Sequence, residues 1–180
     1  MIHESAYLEV ILGCMFSGKS TRLVEIYKQC VFCNISVIVI NHSLDNRYDD
    51  EMLSTHDKIK IPCIKTDNLM DIYSEIMKSN VILINEGQFF PDLEEFVKNM
   101  LFHSKQIYIC GLDGDFERKK FGKLLDIIPL CDKVTKLTSL CSICKNGTLG
   151  IFSKRISKEI EQTVVGSDNY IPVCRNCYDK

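Results

Sequence analysis

The chain has no tryptophan and almost no net charge. Nothing functional follows from the first absence. The second excludes something: 22 basic against 24 acidic side chains leave a formal charge of −2, whereas an electrostatic nucleic-acid binder shows a basic excess. Only a small local patch stays open, and no run interleaves basic with aromatic residues. A basic leader is missing too. The start, MIHESAYLEVILG, is acidic and polar, and its apolar run is only a strand's length, so it is not read as a secretory signal. No stretch reaches the roughly 20 apolar residues of a membrane span. There is no internal repeat and no low-complexity segment. The expectation is a soluble, intracellular protein.

What is present is a 46% apolar composition over 180 residues. That is enough for one well-filled core, or one core and a small appendage. Ten cysteines are many for this length. Without a secretory signal, metal ligation or burial is favoured over a disulfide framework.

Short apolar runs alternate with helical patterns. Residues 6–12, 36–41, 81–85 and 106–112 read as buried strands. A helix is expected from Lys19. Leu69, Ile72, Tyr73 and Ile76 fall at helical spacing over residues 69–79. Pro91 and Asp92 open a further helix to about Ser104, with Leu93, Phe96, Val97 and Met100 on one face. This alternation predicts an α/β fold, a mostly parallel sheet with helices on both faces. The character changes near residue 134. The expected domains are 1–133, a nucleotide-binding domain, and 134–180, a small cysteine-rich one.

Residues Gly13 to Ser20, GCMFSGKS, match G-x-x-x-x-G-K-[ST] between a predicted strand and a predicted helix. In such a loop the backbone N–H groups of Met15, Phe16, Ser17 and Gly18 turn inward around phosphate. Lys19 adds positive charge, Ser20 offers a hydroxyl to Mg²⁺, and Thr21 follows in the first helical turn. The run 81–85 ends in Asn85-Glu86. Glu86 then stands at the carboxyl edge of the sheet, where open α/β sheets bind ligands. There it can take the proton of an attacking hydroxyl; the alternative is a solvated loop glutamate. Asn85 occupies the place of a Walker-B aspartate and brings no negative charge.

Cys141-x-x-Cys144 and Cys174-x-x-Cys177 are two knuckles whose four thiolates suit a closed tetrahedral Zn²⁺ site. The alternatives are buried thiols or redox pairs. Cys30-x-x-Cys33 has no second pair nearby and reads as core or surface thiols, and Cys14, Cys63, Cys110 and Cys131 as buried small groups.

With these pieces in hand, the chain resembles the thymidine kinases of the cellular-cytosolic, bacterial and poxvirus type, from Leu8 to Tyr178. The stretches that carry the resemblance are VILGCMFSGKST, DNRYDDEMLSTHD, NEGQFFPDLEEF, GLDGDFERKKFG and VGSDNYIPVCRNCY with the paired cysteines. The resemblance implies a P-loop NTPase-like domain and a zinc-held domain carrying a lasso over the nucleoside. It implies transfer of the ATP γ-phosphoryl group to the 5′-hydroxyl of thymidine, and of deoxyuridine, with Mg²⁺. Glu86 matches the general base, Lys19 and Ser20 the phosphate and metal residues, and Arg47 a phosphate-contacting arginine. Asp45 precedes it in the same stretch and is expected at the substrate. Met15, Leu112, Phe116 and Tyr170 match the thymine pocket, with Phe121 beside it. Val164, Val165 and Gly166 match the lasso backbone that bonds the pyrimidine edge. A homotetramer is implied.

Bland alternatives stand beside these roles. Arg47, among Asp45, Asp49 and Asp50, also reads as a surface ion-pair residue, Met15 and Leu112 as core, and His56 as structural. Three departures from the family matter. Asn85 stands where an aspartate is usual. Ser153 stands where many members carry threonine near the thymine methyl. The segment from Cys144 to Ser153 is somewhat longer. Two other readings remain: a zinc-containing nucleic-acid-binding ATPase, disfavoured by the charge, and a non-catalytic nucleotide-binding relative, motivated by Asn85.

Overall fold

The computed structural model describes residues 5–45, 52–54, 59–164 and 166–179, so Arg47, His56 and Val165 lie outside the described residues. The apolar runs form strands β1 (Tyr7–Gly13), β2 (Val37–His42), β3 (Met52–Ser54), β4 (Lys60–Pro62), β5 (Ile64–Thr66), β6 (Val81–Ile84), β7 (Gln106–Gly111) and β8 (Lys133–Leu137). Six of them make one sheet in the order β5-β2-β6-β7-β1-β8, and every pairing in it is parallel. The remaining two, β3 and β4, pair with each other, antiparallel.

The central strands are buried at every position, because both sheet faces are covered. Successive strand residues point to opposite faces. Leu8 and Val10 of β1 join one core with Ile82 and Ile107. Tyr7 and Ile11 join the other with Leu83 and Tyr108. Helix α1 (Lys19–Phe32) covers the second face with Leu23, Val24, Ile26 and Cys30. A single helical turn, α2 (Tyr73–Ile76), and the longer α3 (Leu93–Phe102) lie over the first. In α3, Leu93, Phe96, Val97 and Met100 recur at i, i+3, i+4 and i+7 and are fully buried. Each such side chain contributes about 1.5–3 kcal/mol.

The helix expected over residues 69–79 is a correction. A 3₁₀ turn, Leu69–Ile72, leads into the short α2. Asn80 and Val81 already donate to the Ser36 carbonyl on entering β6, which leaves little chain for a longer helix. At the other edge of the sheet, β8 lies beside β1 up to the Gly13–Leu137 pair. The change of character read near residue 134 falls inside this strand, and the chain leaves the sheet after Leu137.

Beyond it, β9 (Ser139–Leu140) pairs with β10 (Leu149–Gly150), and β11 (Phe152–Arg155) with β12 (Tyr170–Val173). Helix α4 (Arg175–Tyr178) ends the module. Its core is little more than Cys141, Val173, Cys174 and Cys177, with Phe152, Ile171 and Tyr178 against them. After β11 the chain makes an excursion from this small core over residues 156–164.

Candidate active site

Gly18 leads into helix α1, and its φ of 86° is open to glycine at no steric cost. No side chain caps its first turn, and no acidic residue sits there. The positive end of a 14-residue helix is thus left for an outside anion. Lys19 is buried and folds its Nζ onto the Cys14 carbonyl at 2.7 Å. The Ser17 hydroxyl is buried with no hydrogen-bond partner among the described residues. Gly13 packs so tightly that a Cβ would lie 2.5 Å from the Leu137 carbonyl oxygen.

The C-terminal module holds this loop from outside. Cys14 Sγ donates to the Gly150 carbonyl (3.2 Å), and Met15 N–H donates to Ser153 Oγ (2.9 Å). Burial pushes the Cys14 thiol up, keeping it a protonated donor.

Opposite the loop, β6 ends and the chain turns sharply at Glu86, which has a φ of 55°. Gln88 Nε2 donates to Glu86 Oε2 at 2.7 Å, and Leu112 N–H donates to Gln88 Oε1 at 3.1 Å. Asn85 is buried behind Ser20, whose Oγ donates to its Oδ1 at 3.3 Å.

A cleft of about 970 Å³, counted with its open mouth, runs between these parts. That is the upper end of the range for small-molecule sites. Met15, Phe16, Ser17, Gly18, Lys19, Ser20, Thr21, Asp45, Glu86, Leu112, Phe116, Phe121, Val164, Gly166 and Tyr170 all line it. Ser153 and Asn85 stand one layer behind the wall, each hydrogen-bonded to a residue that lines it. Gly13 sits at the root of the loop. Gln88, Phe89, Leu44, Asp115, Gln162 and Thr163 also line the cleft. Gln88 and Phe89 belong to the NEGQFF stretch and Asp115 to GLDGDF, but nothing in the sequence sets them apart from their neighbours.

The roof is the excursion after β11, and Arg155 pins it. Its guanidinium donates to the carbonyls of Glu159 (2.9 Å), Glu161 (2.5 Å) and Gln162 (3.1 Å) and to the Tyr170 hydroxyl (2.5 Å). It also lies 3.7 Å over the Phe116 ring, so only the other face of that ring is left for a ligand. Gln162 Nε2 adds a bond to Asp115 Oδ2 at 2.7 Å.

The four paired cysteines converge, with all Sγ atoms within 4.8 Å of one another. The separations Cys144–Cys174 (3.7 Å) and Cys144–Cys177 (3.4 Å) approach the roughly 3.8 Å edge of a tetrahedron with 2.3 Å Zn–S bonds. The Cys144 amide donates to Cys141 Sγ and holds its thiol down to about 6. Donor set and spacing therefore fit a structural zinc. The other cysteines do not gather: Cys30 is buried, Cys33 exposed, and Cys63 and Cys131 half-buried.

A glycine-rich loop leading into an uncapped helix at the carboxyl edge of a parallel sheet, faced by a carboxylate, defines a P-loop nucleotide-binding phosphotransferase. The thymidine kinase family model matches residues 6–178, and the chain belongs to that family. It is 41% identical to the thymidine kinase of Yaba monkey tumor virus (strain VR587), over 100% of this chain and 98% of that protein. It is 42% identical to that of Sheeppox virus (strain KS-1) and 40% to that of Vaccinia virus (strain Ankara), each over 97% of this chain and 98% of the relative. Among solved structures, domain III of the Thermotoga maritima replication initiation protein DnaA superposes with a TM-score of 0.47 at 19% identity. That match covers 75% of this chain and 56% of that one.

Proposed function

We propose that this chain is an ATP-dependent kinase that phosphorylates the 5′-hydroxyl of thymidine, and of deoxyuridine, to supply deoxynucleotide for DNA synthesis. The observation that carries the reading is the pairing of an open anion site with a carboxylate across one roofed cleft. The open site is the uncapped α1 terminus with the unpartnered Ser17 hydroxyl. The carboxylate is Glu86.

In this reading the backbone of residues 13–20 cradles the ATP phosphates, and Lys19 leaves the Cys14 carbonyl to meet the terminal phosphate. Ser20 would hold the magnesium that enters with ATP, and that ion would neutralise phosphate charge. Glu86, fixed by Gln88, takes the proton as the nucleoside oxygen bonds to the γ-phosphorus and the bond to the ADP oxygen breaks. Arg47 adds a positive contact to phosphate. Thymine lies on the free face of Phe116, among Met15, Leu112, Phe121 and Tyr170, and the backbone of Val164 and Gly166 in the roof, with that of Val165 between them in the sequence, bonds its polar edge. A closed roof keeps water from accepting the phosphoryl group. Residues 134–180 act as the zinc-held unit that carries this roof. A homotetramer belongs to the same reading.

The test is thymidine phosphorylation across a magnesium titration, beside Glu86→Gln. Turnover that needs thymidine and falls by roughly 10²–10⁴ in the variant is expected. ATP binding without turnover at any magnesium level would overturn the reading in favour of a non-catalytic nucleotide binder.

A further inference from the structure

Asn85 brings no charge to a position where thymidine kinases usually carry aspartate, yet its amide is engaged at both ends. Its Oδ1 accepts from Ser20 Oγ (3.3 Å) and Cys110 Sγ (3.0 Å). Its Nδ2 donates to Asn41 Oδ1 (2.9 Å), and Asn41 Nδ2 donates to Asp45 Oδ2 (3.1 Å). All four residues beyond Ser20 are buried, and Asp45 borders the cleft.

The direction of this ladder is not arbitrary. An ionised carboxylate only accepts hydrogen bonds. Asp45 therefore turns the NH₂ of Asn41 toward itself and the Asn41 oxygen away. That oxygen in turn draws the NH₂ of Asn85, which leaves the Asn85 oxygen aimed at Ser20. Flipping either amide leaves buried groups unpaired. The bonds run in one sense, so each polarises the next.

We infer that Asp45 is a positioning residue which, through Asn41 and Asn85, fixes the Ser20 hydroxyl and supplies the negative charge absent from position 85. Ser20 donates its proton to Asn85 and keeps its oxygen lone pairs for magnesium. This inference rests on the kinase reading above.

The test uses the full chain with Asp45→Asn, Asn41→Leu and the double variant Asp45→Asn/Asn85→Asp. In the double variant the carboxylate has moved to the inner end, and the ladder is complete again with both amides reversed. The first readout is calorimetric binding of a non-hydrolysable ATP analogue across a magnesium series. The second is the magnesium midpoint of turnover against the thymidine KM. D45N and N41L should raise the magnesium midpoint roughly tenfold, the worth of one charge-assisted hydrogen bond, and in N41L, which leaves Asp45 in the cleft wall, thymidine KM should change far less. D45N/N85D should bring the midpoint back to near the unmodified value. Should D45N fail to fold, recovery of a cooperative melt in D45N/N85D gives the same support. Unchanged midpoints in D45N and N41L, or a double variant no better than D45N, would overturn the inference. Absence of thymidine turnover in the unmodified protein would sink the kinase reading instead, and the analogue-binding series would still report on the ladder.

Discussion

Gln88 is the residue whose loss is expected to cost most without touching substrate phosphate or base. It is buried, and its two polar ends have separate tasks: Nε2 fixes Glu86, and Oε1 satisfies the Leu112 N–H. Gln88→Met keeps the length and removes both. A hydrogen bond to a charged group is worth about 1.5–3 kcal/mol, and 1.36 kcal/mol is tenfold in rate. The expected fall in kcat/KM for thymidine is therefore about 10- to 150-fold. The Leu112 N–H, left unpaired at a half-buried position, should add about 1 kcal/mol of lost stability. A second variant reaches the same point by crowding. A Cβ on Gly111 would lie 2.3 Å from Gln88 Oε1 and 2.6 Å from Leu124 Cδ2, so Gly111→Ala must push the carboxamide off its partners. Steady-state kinetics at saturating ATP, with melting curves beside them, give both numbers. A kcat/KM within threefold of the unmodified protein for both folded variants would refute the claim that Gln88 holds the base.

Arg155→Ala frees three carbonyls of the roof, the Tyr170 hydroxyl and one face of Phe116. Thymidine KM should rise at least roughly tenfold and protease cleavage within residues 156–164 should quicken, and Arg155→Lys should rescue little because an ammonium cannot fork. Cys174→Ser should abolish stoichiometric zinc by elemental analysis and lower the melting temperature. It should also weaken ATP-analogue binding, because Gly150 and Ser153 no longer hold the phosphate loop. His42 is held below its ordinary value by burial, which outweighs the pull of Asp67, and its Nδ1 accepts from the Leu44 N–H. The unfolded chain therefore takes up the proton first. Stability should fall as pH drops below about 6.5, by at most ~1.4 kcal/mol per pH unit for one proton. Melting curves from pH 5 to 8 should show this slope, and His42→Asn should flatten it.

How much of this was readable from the residues alone follows from how local each signal is. Strand β6 is a continuous apolar run, and β1 and β7 are such runs apart from Glu9 and Gln106, because helices cover both faces; α3 shows its period because four residues of one face go into one core. The phosphate loop and cysteine pairs are contiguous motifs. Strands β3, β4 and β5 are too short for any period. The pattern at Leu69–Ile76 looks helical, but it is cut short by the need to enter β6. In the site, Glu86 could be read from its place at a strand end. Gln88 could not, because its partner Leu112 is 24 positions away, and Asn41 meets Asn85 across 44. Arg155 acts on nearby backbone carbonyls, which leave no trace in side-chain identity.

The phosphate loop is written in residues 13–20 but is completed by residues from the far end of the chain. Leu137 walls Gly13, Gly150 takes the Cys14 thiol, and Ser153 takes the Met15 amide. During synthesis these groups emerge long after the loop itself. A nascent chain carries the whole P-loop sequence long before it has a finished P-loop, and a fragment ending before β8 leaves the Met15 amide without its acceptor. Nucleotide binding should therefore switch on late, with the closing of the cysteine-rich module. ATP-analogue binding by a series of C-terminal truncations would show whether affinity appears in one step at that point.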